Sequence, residues 1–574
     1  MAHAYDLVIR NGTVVDGTGG ERFSADVAVA EGRIAAIGKV SGAGAEEIDA
    51  KGRLVTPGFV DIHTHYDGQA VWSDRLSPSS SHGVTTAVGG NCGVGFAPCR
   101  PEHHDLLVSV MEGVEDIPEV VMTEGLSWDW ETYPEYLNAI EARPHDIDFA
   151  SQIPHSAVRV YVMGQRGADR EAATADDLVK MQAVVREAMD VGALGFATSR
   201  LIIHKTGQGD PIPTWEAAET ELEAMALALK DSGKGVLQAV FGAPGRTFED
   251  EIDLLSRLTQ MSGRPASFSM VQSNENPEAF RGVMRHLGKA NANGPPIRAQ
   301  VYPRPVGVVL GFDLTINPFS LCPSYQPLAR LPFKERIKAL RDPTMRARLL
   351  MEEPGQALIP LARMGRRFDY IYPMGDPPNY EPAQETSLAA QAQARGVDPG
   401  ELAYTLLMEN DGRGLLLAAL ANYGSGTLDP IRELITDPNS VLGLGDGGAH
   451  YGMICDSSYP TFVLQHWTRE RKGSRLTLEQ AVKALTSTPA ETVGLLDRGV
   501  LSVGRKADLN VIDYDALTLK TPEVLYDLPA GGRRITQGAR GYEALIVSGQ
   551  VVSRGGEPTG ALPGRLVRGP QAAA

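Results

Sequence analysis

Cysteine is scarce in this chain: Cys92, Cys99, Cys322 and Cys455 are the four among 574 residues. So few cannot staple so long a polypeptide, and Cys92 and Cys99 stand too far apart for a CxxC pair. A disulfide framework is excluded and a reducing compartment is expected. Long apolar runs are missing as well. No stretch approaches the roughly 20 apolar residues of a membrane span, and the opening "MAHAYDLVIR" lacks the basic flank and apolar core of a secretory signal. Positive charge is in deficit, with 54 Lys and Arg against 71 Asp and Glu, which argues against attraction to nucleic acid or anionic lipid. A soluble, cytoplasmic protein acting on a small molecule is expected. The 43% hydrophobic content is enough for a large buried core rather than disorder.

What is present changes texture along the chain. Residues 1–57 alternate short apolar runs with Asn-Gly, Gly-Gly and Glu-Gly turn signals, and "LVIRNGTVVDG" is echoed by "LIVSGQVVSRG" within 496–557. Both segments read as antiparallel strands, which predicts one small β-sandwich built from the two ends of the chain. From 58 to 495, apolar runs of four to eight residues alternate with amphipathic stretches of helix length, such as 216–232 and 478–486. The runs "FVDIHTH", "VTTAVGG", "DFASQIPH", "ALGFATS", "GVLQAVF", "ASFSMVQS", "IRAQVYP" and "SVLGLGD" supply eight strands. The fold class expected is therefore α/β, a (β/α)8 TIM-like barrel. A Pro- and Arg-rich stretch at about 305–400 reads as an insertion over the mouth or an oligomer contact, and a homo-oligomer is expected. Residues 558–574 carry no periodic apolar signal and read as a tail.

The chemistry gathers at the ends of these strands. Residues i and i+2 of a strand share a face, so Asp61, His63 and His65 should project together at the barrel mouth. Two neutral imidazoles side by side suit zinc. Cys92 follows the second strand, where a thiolate could bind or bridge metal, or a thiol could simply fill space. Asp446 ends the last strand, which closes beside the first in a barrel. A carboxylate there can ligate metal and move a proton, although "GDGG" is also good turn sequence. His450 lies four residues on, a candidate for contact with substrate. His204, in a Gly- and Pro-rich loop after "ALGFATS", is either a further nitrogen ligand or a substrate contact.

The strand "GFVDIHTH" after a β-rich start, "GVTTAVGGNCGVGFAP", "GALGFATS", "GDGGAH" and the closing "STPAETVGL" with "VGRKADLNVID" together resemble the amidohydrolase superfamily. Within it they are most similar to the D-aminoacylase (N-acyl-D-amino-acid deacylase) branch, and the resemblance spans nearly the whole chain. It implies His63, His65 and Asp446 as ligands of a first zinc and Cys92 as a ligand of a tighter or bridging site. His155, at the end of "FASQIPH", matches a histidine of the deacylases and would polarise the scissile carbonyl. Two family histidines have no counterpart: Gln238 stands at strand five, and Ser269 or Gln272 at strand six. One or two zinc ions are implied, one of them better held. The cations that anchor a substrate carboxylate in the family are absent too, leaving Arg304 beside Tyr302, or Lys205, to take that part.

The activity implied is metal-assisted hydrolysis of an amide, most simply that of an N-acyl amino acid, with Asp446 as general base and then general acid. Two alternatives stay open at this stage. The same site would serve a lactone, ester or cyclic amide, and a barrel lacking two ligands would serve as a non-catalytic scaffold.

Overall fold

The computed structural model describes residues 3–356 and 360–573. Eight strands form the barrel: β1 Phe59–Asp61, β2 Val84–Gly89, β3 Asp148–Ser151, β4 Gly195–Ser199, β5 Val236–Val240, β6 Ala266–Met270, β7 Ile297–Val301 and β8 Ser440–Leu442. All coincide with the apolar runs read from the sequence. They are buried on both faces because helices cover the outside. β1, β2 and β3 form one parallel ladder, and β4 to β8 form another, its far edge pairing with the short strand Ile153–Pro154. Gln152 is the joint: its N–H donates to Gly89 while the Leu194 N–H donates to Ser151, so the chain passes from one ladder to the other without a gap.

The two ends of the barrel close at its mouth. The Asp446 N–H donates to the His63 carbonyl at 3.0 Å, and the His65 N–H donates to Gly447 at 2.8 Å. Side-chain alternation sets what each strand presents. Val60 and Ile62 point outward into an apolar cluster with Val88, Val441, Ala490 and Val493, which turns Asp61 and His63 inward. The outer helices earn their place by amphipathic spacing. In Glu219–Ser232 the buried residues Leu222, Met225, Ala226 and Leu229 fall on one stripe, and Gly233, at φ 66°, ends the helix in the left-handed region.

The small domain is drawn from both termini as expected, but its strands form one nine-stranded sheet rather than the two of a sandwich. Leu54–Pro57 is its seam, parallel to Tyr5–Val14 on one side and antiparallel to Leu509–Ile512 on the other. Leu7, Ile9, Val27, Val55, Leu509, Val511 and Ile546 share its core. The insertion has its own core around Leu310, Phe312, Phe319 and Leu416. It continues past residue 400, because Leu416–Ala421 returns to pair with Val306–Leu310 and Ile371–Pro373.

The last residues are an ordered strap along the bottom of the barrel, not a loose tail. Leu566 and Val567 are buried, and backbone hydrogen bonds tie the strap to Phe149, Gly192 and Gly494. Nearby, Arg498 reaches the buried Asp148 at 2.6 Å, linking the return into the small domain to β3. Among the described residues, no helix is long and apolar enough to cross a membrane.

Candidate active site

His63 and His65 continue from β1 into the mouth, both 1% exposed. His63 Nε2 lies 3.3 Å from Cys92 Sγ and 3.6 Å from Asp446 Oδ1. His65 Nε2 lies at the same 3.6 Å from Asp446 Oδ1. Ligand atoms on a tetrahedral ion with bonds of about 2.0–2.3 Å stand about 3.3–3.8 Å apart. Those three distances fall at about that length, and His63, His65 and Cys92 each offer a ligand atom within 4.8 Å of the others. The donor set fits a zinc ion.

Burial brings the His63 pKa down to about 4, with Asp446 opposing the shift, and that of His65 to about 3. Both rings are therefore neutral at neutral pH, with a lone pair to give. Gln300, on β7, decides which nitrogen of His63 carries it. Its amide nitrogen donates to Ser267 Oγ, so its oxygen is left to accept from His63 Nδ1. The proton then sits on Nδ1, and the bare Nε2 faces Cys92 and Asp446. Burial also pushes the Cys92 thiol well up, with Glu115, Asp446 and Asp67 adding to the shift.

Cys92, Asp446 and His450 all sit at positive φ, at 54°, 46° and 51°. That conformation is unfavourable for a non-glycine residue and is held here by its surroundings. Neighbouring glycines make the approach possible. A Cβ on Gly90 would stand 1.9 Å from the Gln152 carbonyl oxygen, and one on Gly445 would stand 2.1 Å from Asp61 Oδ2.

The strand-five and strand-six positions carry no metal-binding nitrogen. Gln238 turns its oxygen to the Cys92 N–H at 3.1 Å, so it supports the cysteine backbone. Gln272 is held by its neighbours, its amide nitrogen donating to the Pro277 carbonyl and to Ser425 Oγ. His204 does reach the mouth: Ser199, at the end of β4, holds its Nδ1 at 2.8 Å. Burial and the nearby His450, His65 and His63 lower its pKa to about 3.

Three expected substrate contacts are placed differently. His155 lies behind β4, with Nδ1 bonded to Thr198 and Nε2 to Glu221 at 2.8 Å. Both nitrogens are spent, so it cannot polarise a carbonyl in the mouth. The reason is alternation: Thr198 points outward from β4, and His155 follows it into the helix layer. Arg304 is also buried and committed, bonded to Ser458, the Cys455 carbonyl and Asp456 and stacked 3.9 Å over Tyr380. Tyr302 donates its hydroxyl to the Asp456 carbonyl at 3.2 Å. Neither is free to take a substrate carboxylate. Lys205 lies in the loop bridged to Pro211.

Sequence reading missed Glu115, the last residue of the helix His104–Glu115. It is 1% exposed, and its Oε2 lies 3.4 Å from both His65 Nε2 and His450 Nε2. A signal was available. Glu115 extends the apolar stripe of Val108 and Met111, a place where a carboxylate is costly unless it has a partner.

The amidohydrolase family model matches residues 46–553. The chain belongs to the amidohydrolase family. Within 96% of its length this amidohydrolase is 28% identical to an uncharacterized protein of Mycobacterium tuberculosis, covering 92% of that protein. It is 27% identical to N-acyl-D-glutamate deacylase of Alcaligenes xylosoxydans xylosoxydans over 99% of this chain and 97% of the other. Among solved structures, D-aminoacylase shares the fold with a TM-score of 0.66 at 23% identity, covering 98% of this chain and all of its own. The N-acyl-D-glutamate deacylase of Bordetella bronchiseptica, solved with zinc and a phosphonate mimic of the tetrahedral intermediate, gives 0.65 at 24%, covering 98% and 99%.

Proposed function

We propose that this chain is a zinc-dependent hydrolase that cleaves the amide bond of N-acyl amino acids, with His63, His65, Cys92 and Asp446 as its metal ligands. The observation that carries the proposal is the approach of two neutral imidazole nitrogens to one Asp446 oxygen, 3.6 Å from each. Kinship supports the substrate class, since a full-length relative is a deacylase of N-acyl-D-glutamate.

Zinc, when bound by this set, polarises a carbonyl and lowers the pKa of its water from 15.7 toward about 7. The chain does the rest. His63 and His65 present their Nε2 lone pairs, and Gln300 holds the His63 ring in the tautomer that does so. Asp446 takes a proton from the attacking water as its oxygen adds to the carbonyl carbon. It returns that proton to the nitrogen as the C–N bond breaks, leaving a carboxylic acid, which gives up its proton to water, and a free amine. His204 and His450, at the rim, contact the substrate. We place the reaction in the cytoplasm, because the four free cysteines are all buried and fit a reducing compartment.

The test is a panel of N-acetyl and N-formyl amino acids of both hands, given to zinc-loaded protein. Release of free amine from at least one, lost on chelation and regained with zinc, is the expected result. Inactivity toward all of them alongside hydrolysis of lactones would overturn the substrate class.

A further inference from the structure

We propose that Asp116 is a positioning residue: from the end of the helix His104–Glu115 it fixes the turn at 450–452 against the insertion, and so aims the His450 ring at the substrate. The proposal rests on the reading above that His450 contacts the substrate, and adds to it what holds that histidine in place.

The turn is gripped at both ends by two adjacent residues of the helix terminus. The His450 N–H donates to the Glu115 carbonyl, and the Gly452 N–H donates to Asp116 Oδ2 at 3.0 Å. The insertion closes a third side. The Thr315 hydroxyl lies 3.3 Å from both Asp116 oxygens, and the Thr315 N–H donates to the Gly452 carbonyl at 2.9 Å. A Cβ on Gly452 would stand 1.9 Å from Thr315 Oγ1, so the pieces meet with no room for a side chain between them. The turn held this way presents His450, whose Nε2 lies 3.4 Å from Glu115 Oε2 and whose side chain is 20% exposed.

Nothing local favours an aspartate at position 116. It follows the helix end at φ 50° and ψ 39°, a left-handed conformation that glycine adopts with less strain. Its charge lies at the C-terminal end of the helix, where the dipole disfavours an anion. Burial pushes its pKa up to about 7, against the Gly452 N–H, the Thr315 hydroxyl and the Arg533 charge, with Glu112 adding to the rise. Arg533 itself pairs with Asp313 at 3.8 Å. His450 is left-handed too, at φ 51°. Strained residues persist where their surroundings over-determine them, and here the two strained positions are locked to each other through one turn. The aspartate is therefore kept for what its oxygens hold, and they hold the loop that carries His450.

Asp116→Gly removes both acceptor oxygens without straining the backbone, which makes it the decisive variant. In the zinc-loaded full chain, acting on the N-acyl amino acid it hydrolyses best, Asp116→Gly should raise KM about 10-fold with kcat little changed, because a substrate contact is displaced rather than a reacting group. Asp116→Asn keeps one acceptor oxygen and tolerates the left-handed region, so its KM should stay within about threefold of the wild type. Thr315→Val should shift KM in the same direction as Asp116→Gly and covers the case in which that variant fails to fold. The shift should vanish in a His450→Asn background, where no ring is left to aim, whereas a merely structural loss would add to it. A second readout needs no turnover: amide hydrogen exchange at His450, Met453 and Ile454, none of them bonded to Asp116, should quicken by about 10-fold or more in Asp116→Gly. Wild-type KM in the folded Asp116→Gly variant, a shift undiminished in His450→Asn, or unchanged exchange at those amides overturns the proposal. Wild-type KM in His450→Asn overturns the substrate contact instead, while exchange still reports the grip, so the two failures are distinguishable.

Discussion

Gln300 holds its amide oxygen 2.6 Å from His63 Nδ1 and its nitrogen 2.9 Å from Ser267 Oγ, so a serine on β6 sets the tautomer of a histidine that follows β1. Partners of this kind typically carry 10- to 100-fold in metal affinity. Gln300→Leu should weaken zinc binding by about 10- to 100-fold while leaving the fold intact, as measured by competition with a chromophoric chelator. Unchanged affinity would show that the tautomer is set elsewhere.

Among the described residues, Asp446 is the one carboxylate within 3.6 Å of both imidazoles. A general acid or base contributes roughly 10²- to 10⁴-fold to rate. Asp446→Asn should therefore lower kcat by about that factor with little change in thermal unfolding of the metal-free protein. An active Asp446→Asn enzyme would remove the proton-transfer role.

His155 bonds outward, so it bears on stability rather than chemistry. Burial tends to raise the Glu221 pKa, but His155 and Arg159 outweigh it and hold the group at about 2. Replacing His155 by Leu leaves a buried carboxylate with one partner fewer, a cost of about 1–3 kcal/mol. Urea unfolding at neutral pH should show that loss, while kcat/KM of the folded enzyme stays near wild type. A collapse of kcat/KM with normal stability would return His155 to the reacting centre.

His82 supplies a pH dependence independent of metal. It is fully buried, with Nδ1 on Thr461 Oγ1 and Nε2 on the Gln537 carbonyl. Burial lowers its pKa from 6.5 to about 4, with the Gln537 carbonyl opposing and the Arg304 charge assisting. Below 6.5 the unfolded chain takes up a proton that the folded chain refuses until about pH 4. The folded state therefore loses stability as pH falls through that window. Unfolding free energies at pH 7, 6 and 5 should decline, and the decline should be shallower in His82→Gln. Parallel slopes in the two proteins would count against the assignment.

The barrel was legible because a closed parallel sheet buries every strand on both faces, and that demand writes short apolar runs into the sequence. The i, i+2 spacing of His63 and His65 was readable for the same reason, since alternation is a local rule. His155 misled because its neighbours in sequence do not say which side of β4 it faces, and Thr198 settles that. Arg304 was read as available, yet Asp456 and Tyr380, more than seventy residues away, occupy it. Glu115 was passed over because a glutamate near the end of a helix is ordinarily solvated.

By itself, the sequence determined the α/β architecture, the shared sheet of the two termini and the residue types able to bind a cation. All of these follow from local periodicity and side-chain chemistry. The meeting of Asp446 with His63 and His65 was expected from strand order, but only the tertiary structure decided the distances between them and which other side chains join them. Closure of β8 onto β1 through the His63 carbonyl and the Asp446 N–H brings together residues nearly four hundred positions apart, and a helix end delivers Glu115 to them. The arrival of Glu115 depends on how helices pack against strands in space, and no local pattern encodes it.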